Sequence, residues 1–125
     1  MPQKIAILGP GLLGASIALA ARRGGDARVA MWARRLEAIA EIRARGIAHE
    51  ISGDLAAIVT GADIVVFCVP IGAMPALARE ILPHVSPRAL ITDVGSVKAS
   101  VVAELGAIFR GRGRFIGSHP MSGSD

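Results

Sequence analysis

The chain has 125 residues, of which 52% are hydrophobic and only 3% aromatic, which is enough for one domain with an aliphatic core over residues 1–125. The formal net charge is +4, and the charge comes from twelve arginines and two lysines set against ten acidic residues. We expect no nucleic-acid partner, because the arginines are scattered along the sequence and few aromatic side chains could stack on bases.

Cysteine, histidine and hydropathy narrow the class of protein further. Cys68 is the single cysteine, so no disulfide can form within the chain, which suits a reducing cytosol. His49, His84 and His119 have no further His or Cys at metal-ligand spacing, so we predict no metal site. No apolar run reaches the length of a membrane span, and the glycines and proline at positions 9–11 argue against a signal peptide. We therefore expect a soluble, cytoplasmic protein.

The segment over residues 4–18 has the pattern of a strand, a glycine-rich turn and a helix. A continuous apolar run at residues 5–8 is typical of a buried parallel strand, and a second run rich in Leu, Ala and Ile predicts a helix. Between them, Gly9, Gly11 and Gly14 have the G-x-G-x-x-G spacing of a dinucleotide-binding turn. A flexible turn without a ligand is the alternative, and the adjoining strand and helix favour the nucleotide site.

Each glycine of this turn has its own expected role. Gly9 allows a tight turn, and Gly14 allows the helix to pack closely on the strand. Gly11 has no Cβ, so a pyrophosphate can approach the backbone there. The free N–H groups at the start of the helix, those of Leu12 and Leu13 among them, would bind phosphate with the help of the helix dipole.

Strands and helices alternate along the rest of the chain. We predict strands over residues 28–32, 47–51, 63–69, 89–92 and 115–117, of which the one at 47–51 is weak and the one at 63–69 the strongest. We predict helices from residue 36 to a stop at Gly46, from a cap at Asp54 through residue 59, over 74–82 and over 97–109. The alternation predicts an α/β fold of the Rossmann type, which is a doubly wound parallel sheet with helices on both faces.

Ligands of such sheets bind at the carboxyl ends of the strands. Segments that are far apart in sequence should therefore line one crevice, because each follows a predicted strand. These segments are Gly9, residues 32–34, Val69 and Pro70, residues 93–96, and residues 118–119.

The end of the second strand selects between NAD and NADP in folds of this kind. NAD-binding chains usually carry an acidic residue about twenty positions after the glycines, where it holds the ribose 2′-hydroxyl. Here the sequence is Trp32, Ala33, Arg34 and Arg35, with two guanidinium groups and no carboxylate. Guanidinium pairs well with phosphate oxygens, which favours a 2′-phosphate, and so NADP over NAD, with Arg34 the better candidate. The alternative is an ordinary basic start of a helix.

The fifth and sixth strands lead to the candidates for catalysis. Gly95 can bring a backbone turn close to a nicotinamide, and Ser96 is either a helix N-cap or a hydroxyl that orients a base or the substrate. His119 precedes Pro120, which favours extended backbone at the histidine. Imidazole titrates near neutral pH, so His119 is a candidate general base. The alternative is an inert histidine.

Four segments of the sequence, in this order, resemble the nucleotide-binding half of the prephenate/arogenate dehydrogenase family: ILGPGLLGAS, FCVP, TDVGSVK and FIGSHPMSGSD. The last two separate this family from other dehydrogenases of the same fold, and the resemblance runs over essentially the whole chain. It implies oxidative decarboxylation in tyrosine biosynthesis, in which prephenate or arogenate gives a hydride to NAD(P)+ and loses carbon dioxide. It also implies that His119 accepts the hydroxyl proton and that Ser96 assists it.

The sequence departs from the family pattern in two ways. Asp125 stands where many members have Glu, and members continue beyond this point with the rest of the nucleotide domain and a helical domain that makes the dimer and much of the substrate pocket. We therefore expect a fragment or truncated product, which binds cofactor weakly, turns over nothing alone and forms a homodimer only if the helical domain is present. Two alternatives stay open. They are a non-catalytic dinucleotide-binding module and another dehydrogenase of the β-hydroxyacid type.

Overall fold

The computed structural model describes residues 3–94 and 99–117, and within them the chain forms six strands and five helices. The strands are β1 Lys4–Leu8, β2 Arg28–Trp32, β3 Glu50–Ser52, β4 Ile64–Phe67, β5 Leu90–Asp93 and β6 Arg114–Ile116. The helices are α1 Leu12–Arg23, α2 Leu36–Arg45, α3 Leu55–Val59, α4 Met74–Ile81 and α5 Ala99–Ile108. Two single turns of 3₁₀-helix, Ile71–Ala73 and Leu82–His84, adjoin α4.

The strands form one parallel sheet in the order β3-β2-β1-β4-β5-β6. The last residue of β1, Leu8, lies opposite Trp32 of β2 on one side and Phe67 of β4 on the other. The chain therefore starts in the middle of the sheet, runs outward to β3 and returns to β4. This order confirms the predicted doubly wound sheet and puts its reversal point between β1 and β4.

Helices cover both faces of the sheet, as predicted, and each face has its own apolar cluster. Successive side chains of a strand point to opposite faces, and in β1 the buried Leu8 belongs to one cluster and the buried Ile7 to the other. The Leu8 cluster packs against α3, α4 and α5, and its two large rings, Phe67 and Phe109, have centroids 6.4 Å apart. The Ile7 cluster packs against α1 and α2.

The third strand is shifted from its predicted position at residues 47–51 to Glu50–Ser52. The cause is the stop of α2, where Gly46 is left-handed at φ 64°. Its N–H donates to the carbonyl of Arg43, and the N–H of Ile47 donates to that of Ile42 at 3.3 Å. This is the Schellman pattern of helix termination, so Ile47 belongs to the end of the helix and not to a strand.

The other predicted boundaries differ from the observed ones by a few residues. The fourth strand is shorter than the predicted 63–69 and runs from Ile64 to Phe67, although the backbone of Asp63 still bonds to Lys4 and Leu90 on its two sides. The fifth and sixth strands are displaced by one residue, in opposite directions. The helix predicted over 74–82 ends at residue 81, because Leu82 begins the 3₁₀ turn that contains Pro83.

Helix α3 is five residues long and is held at both ends. At its start the side chain of Asp54 accepts a hydrogen bond from the N–H of Ala57 at 3.3 Å, which confirms the predicted cap. At its end the Lys4 ammonium donates to the carbonyls of Thr60 at 2.8 Å and Ala57 at 3.2 Å. Lys4 therefore joins the start of β1 to the end of α3. None of the helices in the described ranges is long and apolar enough to cross a membrane.

Candidate functional site

The loops that follow β1, β2 and β4 meet at the reversal point of the sheet. The N–H of Gly9 donates to the carbonyl of Trp32 at 2.9 Å, and the N–H of Cys68 donates to that of Leu8 at 2.8 Å. The first turn is thus bound to the ends of both neighbouring strands, which fixes the floor of a crevice at the carboxyl edge of the sheet.

Two positions in the first turn require glycine. Gly9 has φ 132°, and a Cβ there would lie 2.3 Å from the carbonyl oxygen of Cys68. A Cβ on Gly14 would lie 2.3 Å from the carbonyl oxygen of Gly9 and 3.5 Å from Cγ2 of Ile7. Because Gly9 has no side chain, the turn can approach Cys68, the residue after β4. Because Gly14 has none, α1 can begin directly against the turn.

Gly11 has different surroundings, since a Cβ there would meet no atom within 4 Å. It is the N-cap residue of α1, and no side chain of the described residues caps this helix. Its carbonyl accepts the first helical hydrogen bond, from Ala15 at 2.9 Å. The side chain of Leu12 is 88% exposed and that of Leu13 is half exposed. The start of α1 therefore offers uncapped N–H groups beside open space, which is an arrangement that binds anions.

A cavity of about 230 Å³ lies beside this turn, and its wall brings together five of the residues that the sequence predicted for the site. These are Trp32, Arg34, Arg35, Val69 and Pro70. Ala33 is placed elsewhere, because it is fully buried in the Ile7 cluster, and its N–H donates to the carbonyl of Ser52.

The rest of the wall was not predicted, and consists of Pro10, Ala38, Ala73 and Leu77. Ala38 and Leu77 occupy apolar positions of α2 and α4, and Ala73 lies just before α4, so in the sequence they look like ordinary core residues. Pro10 could have been predicted as a wall residue, because it lies between Gly9 and Gly11 of the glycine turn. The cavity is thus apolar over most of its wall, and its cationic side chains come from the chain after β2.

Trp32 and Arg34 form a cation–π pair in this wall. The indole is 6% exposed, and its Nε1–H donates to the carbonyl of Gly53 at 3.0 Å. The guanidinium carbon of Arg34 lies 5.5 Å from the centroid of the ring, which is within the range of a cation–π contact. The side chains of Arg34 and Arg35 are both exposed at the rim.

A second cavity, of about 270 Å³, lies between α1 and α2 and shares Pro10 and Ala38 with the first. Glu41 and Arg45 of its wall pair with each other at 3.1 Å, one turn apart on α2. This pair is exposed and so contributes little to stability.

The ends of β5 and β6 lie side by side at the same edge of the sheet. Asp93 ends β5, is 1% exposed, and is the one buried charged residue among those the structure describes. One of its carboxylate oxygens is 3.6 Å from the position that a Cβ on Gly117 would occupy. Residues 93–96 were predicted to line the crevice, with no separate role for Asp93. The predictions for Gly95, Ser96 and His119 lie outside the described residues.

Cys68 lies under the glycine turn, and its thiol is partly buried. Burial disfavours the thiolate and raises the pKa of Cys68 from 9.0 to about 11, so the side chain is a neutral thiol at physiological pH. Over residues 3–94 and 99–117, no three His, Cys, Asp or Glu side chains come together as a metal site would require.

A parallel sheet of this strand order, with a glycine turn and a helix N-terminus at its reversal point, defines a dinucleotide-binding domain of the Rossmann type. The sequence model for the nucleotide-binding domain of prephenate dehydrogenase matches residues 17–125, and the chain belongs to this family. The matched stretch begins after the glycine turn, so membership does not depend on that motif. The resemblance found in the sequence is thereby confirmed.

Three similar proteins illustrate the match. The chain is 35% identical over 124 residues to a prephenate dehydrogenase from Lactococcus lactis, and the matched residues cover 98% of this chain and 35% of that enzyme. A structure of prephenate dehydrogenase from A. aeolicus, in complex with hydroxyphenyl propionate and NAD+, has a TM-score of 0.84 and 28% identity and covers 100% of this chain and 44% of its own. Synechocystis arogenate dehydrogenase has a TM-score of 0.84 and 34% identity, covering 94% of this chain and 41% of its own. The chain therefore spans less than half the length of each.

Proposed function

We propose that these residues are the cofactor-binding half of a cytoplasmic prephenate or arogenate dehydrogenase, which oxidises and decarboxylates its substrate with NAD(P)+ in tyrosine biosynthesis. The observation that carries the proposal is the crevice at the β1/β4 reversal, where the glycine turn, the arginine pair and the loop after β4 meet in a chain of this family. Of the similar proteins, the A. aeolicus enzyme was solved with NAD+.

The residues of the crevice fit a dinucleotide. The open space at Gly11 and the uncapped N–H groups of Leu12 and Leu13 suit the pyrophosphate, because they combine close backbone approach with the positive end of α1. The apolar cavity beside Val69 and Pro70 suits the adenosine, since ligand pockets are mostly apolar with a few polar groups that fix orientation.

For this chain we propose NADP as the preferred cofactor. No carboxylate stands at the end of β2, where Ala33 is buried, and both Arg34 and Arg35 line the cavity. Two exposed guanidinium groups match the oxygens of the 2′-phosphate of NADP. The 2′-hydroxyl of NAD is usually held by a carboxylate, which is absent here.

Calorimetric titration of the wild type and of Arg34→Ala with NADP+ and NAD+ tests this cofactor preference. We expect Arg34→Ala to weaken NADP+ binding by about tenfold or more, as for the loss of one charge-assisted hydrogen bond, and to leave NAD+ binding nearly unchanged. Arg110→Ala is the matched control, because Arg110 is an exposed arginine outside the cavity wall. A wild type that binds NAD+ more tightly than NADP+ would refute the preference.

We propose His119 as the general base that accepts the hydroxyl proton of the substrate, and Ser96 as the residue that assists it, with Gly95 beside the nicotinamide. The support is the neighbouring position of the β5 and β6 ends, from which the chain leads to these residues. When bound, the nicotinamide would supply the hydride acceptor. The protein's part is to hold the substrate beside it and remove the proton.

The proposal for His119 is tested in the full-length product of the gene, with both substrates and both cofactors in steady-state assays. His119→Asn should lower kcat by about 100-fold or more, as for the loss of a general base, and leave cofactor affinity within about twofold of the wild type. His84→Asn, at an exposed histidine of the 3₁₀ turn after α4, is the control. An unchanged kcat in His119→Asn would remove it as the base.

A second candidate function, cofactor binding without turnover, applies to the 125 residues taken alone. It is favoured by the share of the relatives that the chain spans, which is 35% to 44%. We expect the isolated chain to bind cofactor and to leave prephenate and arogenate unoxidised, and we expect a homodimer only when the helical domain is present. Measurable oxidation by the isolated chain would contradict this expectation.

A further inference from the structure

We propose that Trp32 is a positioning residue, whose indole face holds the Arg34 guanidinium at the cavity rim, so that cofactor selection depends on Trp32 as well as on Arg34. This inference rests on the proposed binding of a dinucleotide in the crevice and goes beyond it, because Trp32 need not touch the 2′-phosphate to affect its recognition. The cation–π contact between Trp32 and Arg34 carries the inference.

Two strand pairings and two hydrogen bonds hold Trp32 in place. Trp32 ends β2, opposite Leu8 of β1 and Ser52 of β3, so the sheet holds its backbone on both sides. Its carbonyl accepts the N–H of Gly9, and its Nε1–H donates to the carbonyl of Gly53 at 3.0 Å. The ring is therefore held through its backbone and through its Nε1–H, and the backbone carbonyl of the same residue binds the glycine turn.

Among the described residues Arg34 has no such anchor, since its side chain is exposed and its guanidinium is carried on a flexible stem. Among the described residues, the arginines that form ion pairs are Arg28, Arg45 and Arg79, and Arg34 is not one of them. Its contact with the indole, at 5.5 Å from the ring centroid, restricts the orientation of the guanidinium.

The contact with the indole leaves the hydrogen-bonding groups of the guanidinium available. A guanidinium stacks through its planar face, and it donates hydrogen bonds through its edge. Its N–H groups can therefore pair bidentately with phosphate oxygens while its face rests on the indole. A pre-oriented arginine loses less side-chain entropy on binding than a free one, so the ring increases the affinity for a 2′-phosphate in particular.

If Trp32 had only a structural role, its loss would have a different effect on the binding of the two cofactors. Trp32 also forms part of the cavity wall, so its loss should weaken NADP+ and NAD+ alike if it only fills space. The two cofactors differ only in the 2′-phosphate. The ratio of their dissociation constants therefore isolates what Trp32 does through Arg34.

The test is calorimetric titration of the 125-residue chain with NADP+ and NAD+. The variants are Trp32→Leu, Trp32→Phe, Arg34→Ala and the double variant Trp32→Leu/Arg34→Ala. We expect Trp32→Leu to lower the preference for NADP+ by about two- to fivefold, which is the size of an exposed cation–π contact. Trp32→Phe, which keeps an aromatic face, should restore most of it. In the Arg34→Ala background, Trp32→Leu should change the preference no further.

The outcomes separate this inference from the function on which it rests. If Arg34→Ala lowers the preference and Trp32→Leu leaves it at the wild-type value, the positioning role is overturned and NADP selection by Arg34 stands. If Arg34→Ala leaves the preference unchanged, the proposed selection itself is overturned, and the role of Trp32 with it.

A measurement on the wild type keeps the inference testable if Trp32→Leu does not fold. Protons held over an indole ring are shifted upfield in the NMR spectrum, and Arg35, the next residue at the same cavity rim, is the internal reference. We expect the Hδ and Hε resonances of Arg34 to lie upfield of those of Arg35. Equal shifts for the two arginines would show that the contact between Trp32 and Arg34 does not persist in solution, which would overturn the inference.

Discussion

The glycines of the first turn meet two separate requirements, one for folding and one for the approach of a ligand. Gly14→Ala should lower the free energy of unfolding by about 1–3 kcal/mol, because its methyl group would lie 2.3 Å from the Gly9 carbonyl oxygen and the backbone must shift. Gly11→Ala, which meets no atom within 4 Å, should cost about 1 kcal/mol or less, the usual effect of alanine at an N-cap.

Urea unfolding and cofactor titration of both variants would measure this separation. We expect Gly11→Ala to bind NADP+ more weakly than the wild type while it stays folded, since its methyl group occupies the open space next to α1. Equal stabilities for the two variants would contradict the division of roles.

Cys68 gives a prediction for pH dependence at the scale of one side chain. Burial raises the pKa of this thiol from 9.0 to about 11, so in the folded chain the thiolate forms only as the pH approaches that value. The folded state binds this proton more tightly than the unfolded one. The thiol therefore contributes stability that is fully present below pH 9 and is lost as the pH rises through about 11.

Alkylation by iodoacetamide reports on Cys68 alone, because the chain has one cysteine. The rate should rise with pH toward a midpoint near 11, and addition of urea should bring the midpoint down toward 9. A midpoint at or below 9 in the folded chain would show that the thiol is not desolvated.

At this scale, the sequence predicted the residues whose roles follow from the backbone and missed those whose roles depend on a distant partner. Gly9, Gly11 and Gly14 could be identified because a turn between a strand and a helix constrains each position. The bond from Trp32 to the Gly53 carbonyl could not, since it joins residues 21 positions apart and depends on the register of β2 and β3.

Among the elements, α3 is a short helix with side-chain hydrogen bonds at both ends. Five residues are too few for a stable isolated helix, so α3 depends on the burial of Leu55, Ile58 and Val59 together with the cap at Asp54 and the Lys4 ammonium at the other end. Asp54→Ala should lower the free energy of unfolding by about 1 kcal/mol, and Asp54→Asn, which can still accept the hydrogen bond, by much less. Chemical denaturation of the two variants measures the difference, and equal losses would contradict the capping role.

The order and type of the elements could be predicted, and their exact ends could not. The alternation of apolar runs and turn residues was sufficient to predict all six strands. The third strand was displaced because Ile47, which looks like the start of a strand, is the apolar residue that closes the stop of α2 after Gly46. In the sequence, both roles require the same residue type.

At the scale of the molecule, the strand order determines which loops meet at the crevice, and helix packing determines the rest of the cavity wall. The rule that ligands bind at the carboxyl ends of parallel strands correctly brought the glycine turn, Arg34 and Val69 to one crevice. The same rule says nothing about the helices above the sheet, so the contributions of Ala38 and Leu77 emerged only from the way α2 and α4 pack. Helical faces that line a cavity and those that line a core have the same sequence pattern.

Amide NMR of the isotopically labelled chain, titrated with NADP+, would locate the cofactor on the sheet. We predict shift changes at Gly11 to Gly14, at Arg34 and Arg35 and at Val69, and none at Arg28, Asp63 and Ala89, which lie at the opposite edge of the sheet. Changes at that opposite edge, or no changes at all with NADP+ or NAD+, would contradict a dinucleotide site at the β1/β4 reversal.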